Sequence, residues 1–121
     1  GGLRLEVFPV RQHWPDTAFG LRLRGSVVWS GDTRPIPEML ARHADAGELI
    51  AHDCALHGNP SHTGLDDLER EYPDALRKRM LLYHYAGHAD ATVMVGRGYR
   101  VARPGEAWPL AAPKPCLPVQ A

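Results

Sequence analysis

The sequence has no excess of charge of either sign, since its 121 residues include 14 basic and 14 acidic side chains. This balance leaves no global electrostatic field to attract nucleic acid. The two cysteines, Cys54 and Cys116, are too few for a disulfide scaffold, and we expect both to be free thiols in the reducing cytoplasm. Apolar runs are a few residues long, against the roughly 20 that a membrane helix needs. The sequence therefore predicts neither a membrane span nor a signal peptide.

Short apolar runs alternate with helical segments, which is typical of a layered α/β domain. The patterns predict strands near residues 3–9, 19–24, 26–30, 48–53, 80–84, 99–103 and 106–110, and helices near 36–46 and 65–79. The second helix is expected to break before Pro73 because proline removes a helical hydrogen bond. Residues 1–110 are predicted to form the domain, and the proline-rich residues 111–121 a tail or linker.

One turn carries the clearest functional signal. The run Val-Val-Trp at 27–29 reads as a buried strand, and Ser-Gly-Asp-Thr follows it at 30–33. This order leaves the Asp32 carboxylate at the carboxyl end of a strand, where ligands collect in α/β folds. A Gly-Asp pair after a strand also occurs as a simple turn or a helix cap, so this motif alone leaves both interpretations open.

Two histidines strengthen the functional interpretation of Asp32. His13 follows the first predicted strand, and His84 ends the run that begins at Met80. Each residue of this set lies where a predicted strand stops, and imidazole with carboxylate oxygen suits zinc, manganese or iron. Taken singly, each histidine also fits a structural or surface role.

Five stretches follow one another in a characteristic order. They are His13 with Phe19-Gly20-Leu21-Arg22, then Ser30-Gly31-Asp32-Thr33-Arg34-Pro35, His52-Asp53-Cys54-Ala55, Ser61-His62-Thr63 and Leu82-Tyr83-His84. This order resembles the C-terminal half of the metallo-β-lactamase fold, and within it the ribonuclease Z-like phosphodiesterase branch. The resemblance covers most of positions 3–110.

The resemblance implies an αββα metallo-β-lactamase-like sandwich of which this chain forms only the C-terminal half. The motif His-x-His-x-Asp-His, which supplies most ligands of the first metal in that family, is absent from the sequence. The expected partners are therefore the missing N-terminal half of the domain and, as an open alternative, a second copy in a homodimer. No membrane partner is expected.

The resemblance also assigns roles to single residues. It implies that His13, Asp32 and His84 ligate one or two zinc ions, with manganese or iron as alternatives, and that Asp32 bridges the pair. Asp53 and His62 are implied as the catalytic pair that passes a proton to the leaving group. Without the resemblance, His62 reads as a neighbour of a helix cap in Ser61-His62-Thr63.

The implied function is phosphodiester hydrolysis by a metal-bound hydroxide, acting on a small phosphodiester or on RNA. His88 stands where the branch commonly has a phosphate-binding arginine, and it is the implied substrate contact. Two alternatives remain open: a hydrolase of the same fold acting on a thioester or lactone, and a non-catalytic remnant or interaction module.

Overall fold

The computed structural model describes residues 2–45 and 47–114. Six strands form one mixed sheet whose spatial order follows the chain, β1-β2-β3-β4-β5-β6. The strands are β1 Glu6–Pro9, β2 Phe19–Leu23, β3 Val27–Trp29, β4 Leu49–Asp53, β5 Met80–Tyr83 and β6 Arg100–Val101. The helices are α1 Pro37–His43, α2 Leu65–Glu71, α3 Asp74–Arg77 and α4 His88–Gly96. This arrangement confirms the predicted mixed α/β class.

The sheet has an antiparallel half and a parallel half. Strands β1, β2 and β3 pair antiparallel, whereas β3, β4, β5 and β6 pair parallel. Parallel neighbours need crossover connections, and each connection here contains a helix. Because the crossovers all step in one direction across the sheet and such units are right-handed, the helices lie on one face of it.

The core lies between the helices and that face of the sheet. It is built from fully buried apolar side chains, which include Phe8, Val28, Ile50 and Leu82 from the strands and Leu40, Leu68 and Met94 from the helices. Each of these strand residues points to the helical face because side chains alternate along a strand.

The opposite face of the sheet is apolar, and it is uncovered over the antiparallel strands. Val7 pairs with Leu21, which pairs with Trp29. Val7 is 61 % exposed and Trp29 is 45 % exposed. A sheet in a layered fold normally has both faces covered when both are apolar.

Several sequence predictions need correction. The residues predicted as a strand at 106–110 form no strand, and α4 was not predicted at all. The segment from His88 to Gly96 mixes helix-forming alanines with β-branched threonine and valine, so its period is weak. The helix predicted over 65–79 divides into α2 and α3 at Pro73, as expected.

The start of the predicted tail lies against the sheet, since the backbone N–H of Lys114 donates a hydrogen bond to the carbonyl of Arg24. Residues 115–121, and with them Cys116, lie outside the described residues. Cys54 is a buried free cysteine. None of the helices in the described part of the chain has the length and apolar character needed to cross a membrane.

Candidate metal centre

The ends of the parallel strands bring the candidate site together. Strands β3, β4 and β5 run in the same direction, so their carboxyl ends meet at one edge of the sheet. Asp32 follows β3, Asp53 is the last residue of β4, and His84 comes directly after β5. The sheet therefore places these three side chains side by side at the edge where α/β proteins bind ligands.

The segments that follow β3 and β5 each contain a residue with left-handed backbone. Gly31 has φ +64°, which glycine adopts without strain and which turns the chain so that Asp32 faces the edge. His84 has φ +71°, a conformation that a histidine rarely adopts. Such non-glycine positions cluster at functional sites, where the surroundings hold the residue in place.

Asp32, His62 and His84 form a group that could hold a metal ion. Each offers one ligand atom, and these atoms all lie within 4.8 Å of one another. The imidazoles of His62 and His84 stack, with ring centroids 4.4 Å apart and an interplanar angle of 12°. The site therefore joins two predicted metal ligands with His62, for which the sequence predicted a proton-transfer role instead.

Asp53 lies behind this group and contacts both histidines. Its Oδ2 accepts hydrogen bonds from the backbone N–H of Thr33 at 2.9 Å and from His62 Nδ1 at 2.8 Å. Its Oδ1 is 3.6 Å from His84 Nδ1 and has no hydrogen-bond partner among the described residues. The predicted Asp53–His62 pair is thus in direct contact.

The burial of Asp53 makes this carboxylate unusual. Its side chain has no exposed surface, and burial raises its pKa, while the Thr33 N–H and His62 act in the opposite direction. Because Nδ1 of His62 is engaged by the carboxylate, Nε2 of that ring is left for a ligand. A carboxylate behind a histidine is the usual arrangement around protein-bound metal ions, where it fixes the ring and raises its basicity.

His13 does not join this group. Arg11 pairs with Arg34, after which the chain turns at His13, whose φ is +32°. The His13 side chain is exposed and lines a groove of about 460 Å³ with Trp14 and Met39. The described residues therefore provide two of the three predicted ligands at one place, and His62 supplies the third member of the group.

His88 lies beside the group rather than in it. A cavity of about 710 Å³ adjoins His84 and is lined by Tyr85, His88 and Arg103. Arg103 Nη1 donates to His88 Nδ1 at 2.8 Å. Since a guanidinium has no acceptor, Nδ1 must accept and the His88 ring carries its proton on Nε2. Arg103 was not identified from the sequence, because nothing near residue 103 marks it as more than a surface cation.

The fold and the site define an α/β protein with a candidate metal centre at the carboxyl edge of its parallel strands. Residues 1–106 match the family model described as Anti-Pycsar protein Apyc1, and the chain belongs to this family. It is 30% identical over 92 residues to the anti-Pycsar protein Apyc1 of Paenibacillus harenae. That alignment covers 74% of this chain and 37% of the relative, so the chain spans little more than a third of the relative's length.

This membership corrects the family inferred from the sequence. The assignment to the ribonuclease Z-like branch of the metallo-β-lactamase fold is wrong, because the matching family is Apyc1. The predicted phosphodiesterase activity was an implication of that assignment and is overturned with it, since the comparisons name an anti-Pycsar protein and not a hydrolase. Among the alternatives raised from the sequence, the interaction module agrees better with this name.

Proposed function

We propose that this segment gives an anti-Pycsar protein a metal-dependent binding site, with a metal ion held by Asp32, His62 and His84. The proposal depends on one observation, the convergence of three ligand atoms to within 4.8 Å of one another. The ion supplies positive charge and open coordination positions for a ligand.

The residues present fit such an ion. One carboxylate oxygen and two imidazole nitrogens form a mixed set that suits zinc, with manganese or iron as alternatives. The buried carboxylate of Asp53 holds the His62 ring from behind, and its free Oδ1 faces His84. Three protein ligands serve one ion, and a second ion needs ligands beyond this group, for which His13 stays a candidate.

We propose a small phosphodiester as the ligand of this site. The cavity beside His84 has the size of a small-molecule pocket, at about 710 Å³. The guanidinium of Arg103 and the Nε2–H of His88 both offer hydrogen-bond donors to a phosphate. RNA, the other ligand considered from the sequence, is less favoured because the chain carries no net positive charge.

We also propose that the uncovered sheet face packs against a second layer, which makes this sheet one half of an αββα sandwich. Val7 and Trp29 offer exposed apolar side chains, and the chain spans only 37% of its relative. The missing part of the domain is the proposed cover, with a second copy of the chain as the other outcome of a test. The free thiol of Cys54 suits the cytoplasm as the proposed compartment.

Elemental analysis of the purified full-length protein tests the metal site. We expect at least one transition-metal ion per chain in the wild type and a clear loss in Asp32→Ala and in His84→Ala. His57→Ala is the matched control, because His57 is an exposed histidine on the same loop as His62 but outside the group. Full occupancy in Asp32→Ala, or equal loss in His57→Ala, contradicts the proposal.

Titration of the zinc-loaded protein with a small phosphodiester tests the ligand. Arg103→Gln removes the guanidinium that faces His88, so we expect weaker binding with unchanged zinc content. Arg100→Gln is the control, since Arg100 is exposed on β6, its side chain donates to the Lys78 carbonyl, and it does not line this cavity. Equal affinity in wild type and Arg103→Gln shows that the phosphate does not bind in this cavity.

A further inference from the structure

His62 differs from the other members of the metal group because it is not at a strand end. It lies on the loop between β4 and α2, where Asn59 and His62 form an isolated bridge. The Asn59 side-chain oxygen also accepts the backbone N–H groups of Ser61 and His62. The turn is therefore closed on itself, but these bonds do not attach it to the rest of the protein.

Arg34 attaches this loop to the segment that follows β3. Its Nη1 donates to the carbonyl of His62 at 3.0 Å, to the carboxylate of Asp67 at 2.7 Å and more distantly to the carbonyl of Asn59 at 3.4 Å. Arg34 is two residues beyond Asp32 in the chain. One guanidinium thus connects the segment that carries Asp32 to the loop that carries His62.

Asp67 fixes the guanidinium from the other side. It lies in the first turn of α2, where its Oδ2 also accepts the backbone N–H of Gly64. The Arg34 side chain holds the pKa of Asp67 down to about 2. The carboxylate is therefore charged near neutral pH, where the ion pair forms.

The loop packs against this ion pair without spare room. A Cβ atom added at Gly58 would be 2.3 Å from Asp67 Oδ2 and 2.7 Å from Arg34 Nη1, well inside contact distance. It would also be 2.8 Å from the backbone nitrogen of Gly64. Glycine at position 58 lets the backbone close onto the pair, so the loop packs directly on Arg34 and Asp67.

We propose that Arg34 is a positioning residue of the metal site, which holds the His62 imidazole at its distance from Asp32 and His84 by binding the His62 carbonyl. The inference rests on the metal-binding role proposed for His62. Arg34 is not a member of the metal group and acts only through the loop. A lysine at this position offers charge, but its flexible ammonium lacks the planar guanidinium that holds Nη1 between the carbonyls and the carboxylate.

Zinc affinity of the full-length protein, measured by competition with a chromophoric chelator, tests this role. Residues that orient metal ligands typically contribute about 10- to 100-fold in affinity, and we expect a loss of that size in Arg34→Met. Arg70→Met is the matched control because Arg70 also pairs with Asp67, at 2.5 Å, but has no hydrogen bond to the loop. We expect it to change zinc affinity by less than about 3-fold.

A double-mutant cycle separates positioning from general stabilisation. If Arg34 acts through His62, Arg34→Met has no further effect on zinc affinity in a His62→Ala background. Independent, additive losses overturn the inference. If His62→Ala weakens zinc binding and Arg34→Met does not, only this inference fails; if His62→Ala has no effect, the proposed metal role of His62 fails and this inference with it.

Arg34→Lys keeps the experiment decisive if Arg34→Met does not fold. We expect a folded protein with unchanged far-ultraviolet circular dichroism and zinc affinity reduced several-fold, between those of wild type and His62→Ala. Wild-type zinc affinity in folded Arg34→Lys overturns the proposal.

Discussion

Asp53 Oδ2 lies 2.8 Å from His62 Nδ1, so a carboxylate without exposed surface holds an imidazole that reaches the surface. The same oxygen accepts the backbone N–H of Thr33, which follows Asp32. Asp53 therefore links the end of β4, the turn that carries Asp32 and the loop that carries His62. It orients the proposed metal ligands without being one of the group.

Asp53→Asn tests this orienting role with little change of shape. The amide carries no charge to raise the basicity of His62, and only one of its two ends can accept a hydrogen bond. We expect zinc affinity to fall about 10- to 100-fold while the protein remains folded. Chelator competition gives the affinity, and wild-type affinity in folded Asp53→Asn contradicts the role.

His52 predicts a dependence of stability on pH. This buried residue donates from Nδ1 to the Asp53 carbonyl and accepts at Nε2 from the Tyr72 hydroxyl, both at 2.7 Å. Burial lowers its pKa from 6.5 to about 4. Protonation of His52 is therefore more favourable in the unfolded chain than in the folded protein. The free energy of unfolding falls as the pH drops from about 6.5 towards 4, and it shows no further loss from His52 below about pH 4.

The expected loss between pH 7 and pH 5 is about 2 kcal/mol in the free energy of unfolding. Urea denaturation of wild type and His52→Gln at both pH values measures it. The variant is expected to lack this part of the pH dependence, whereas His57→Gln, which changes an exposed histidine, retains it. The same pH dependence in wild type and His52→Gln would show that His52 is not the group responsible.

Gly58→Ala tests the close packing of the loop on the Arg34–Asp67 pair. The added Cβ overlaps Asp67 Oδ2, and overpacking of this kind typically costs about 1–3 kcal/mol. Gly96→Ala is the control, because a Cβ at Gly96 meets nothing within 4 Å. Thermal or urea unfolding gives both values, and a Gly58→Ala protein as stable as wild type contradicts the packing described.

Val7→Lys tests whether the uncovered sheet face is buried in the full-length protein. If a second layer packs on it, a lysine in that interface costs about 2 kcal/mol or more in the free energy of unfolding. Val93→Lys, on the exposed side of α4, is expected to stay within about 0.5 kcal/mol. Equal, small effects of both substitutions show that Val7 faces water.

Much of this architecture could be predicted from the sequence because short apolar, β-branched runs indicate strands without reference to distant residues. The β-branched run at 27–29 and the apolar run before His84 placed Asp32 and His84 after strands, as the structure shows, and parallel strands bring their ends together. The chain lacks an equivalent local signal for α4, where valines obscure the helical period.

Which residues form the metal group was harder to predict from the sequence. His13 follows a strand, as the rule requires, but the turn after Arg11 leaves it in a different groove. His62 joins the group through contacts distant in the chain, with Asp53 nine residues away and Arg34 28 residues away. Local sequence patterns indicate helices, strands and turns. They do not indicate which distant loop an arginine side chain will bind.

We propose that Asp32, His62 and His84 bind one metal ion together. Anomalous diffraction at the zinc edge, on crystals of the zinc-loaded full-length protein, tests it most directly. We expect a peak about 2.0–2.2 Å from one imidazole nitrogen of each histidine and from a carboxylate oxygen of Asp32. A peak bound by other residues, or no peak at this group in crystals supplied with zinc, would contradict it.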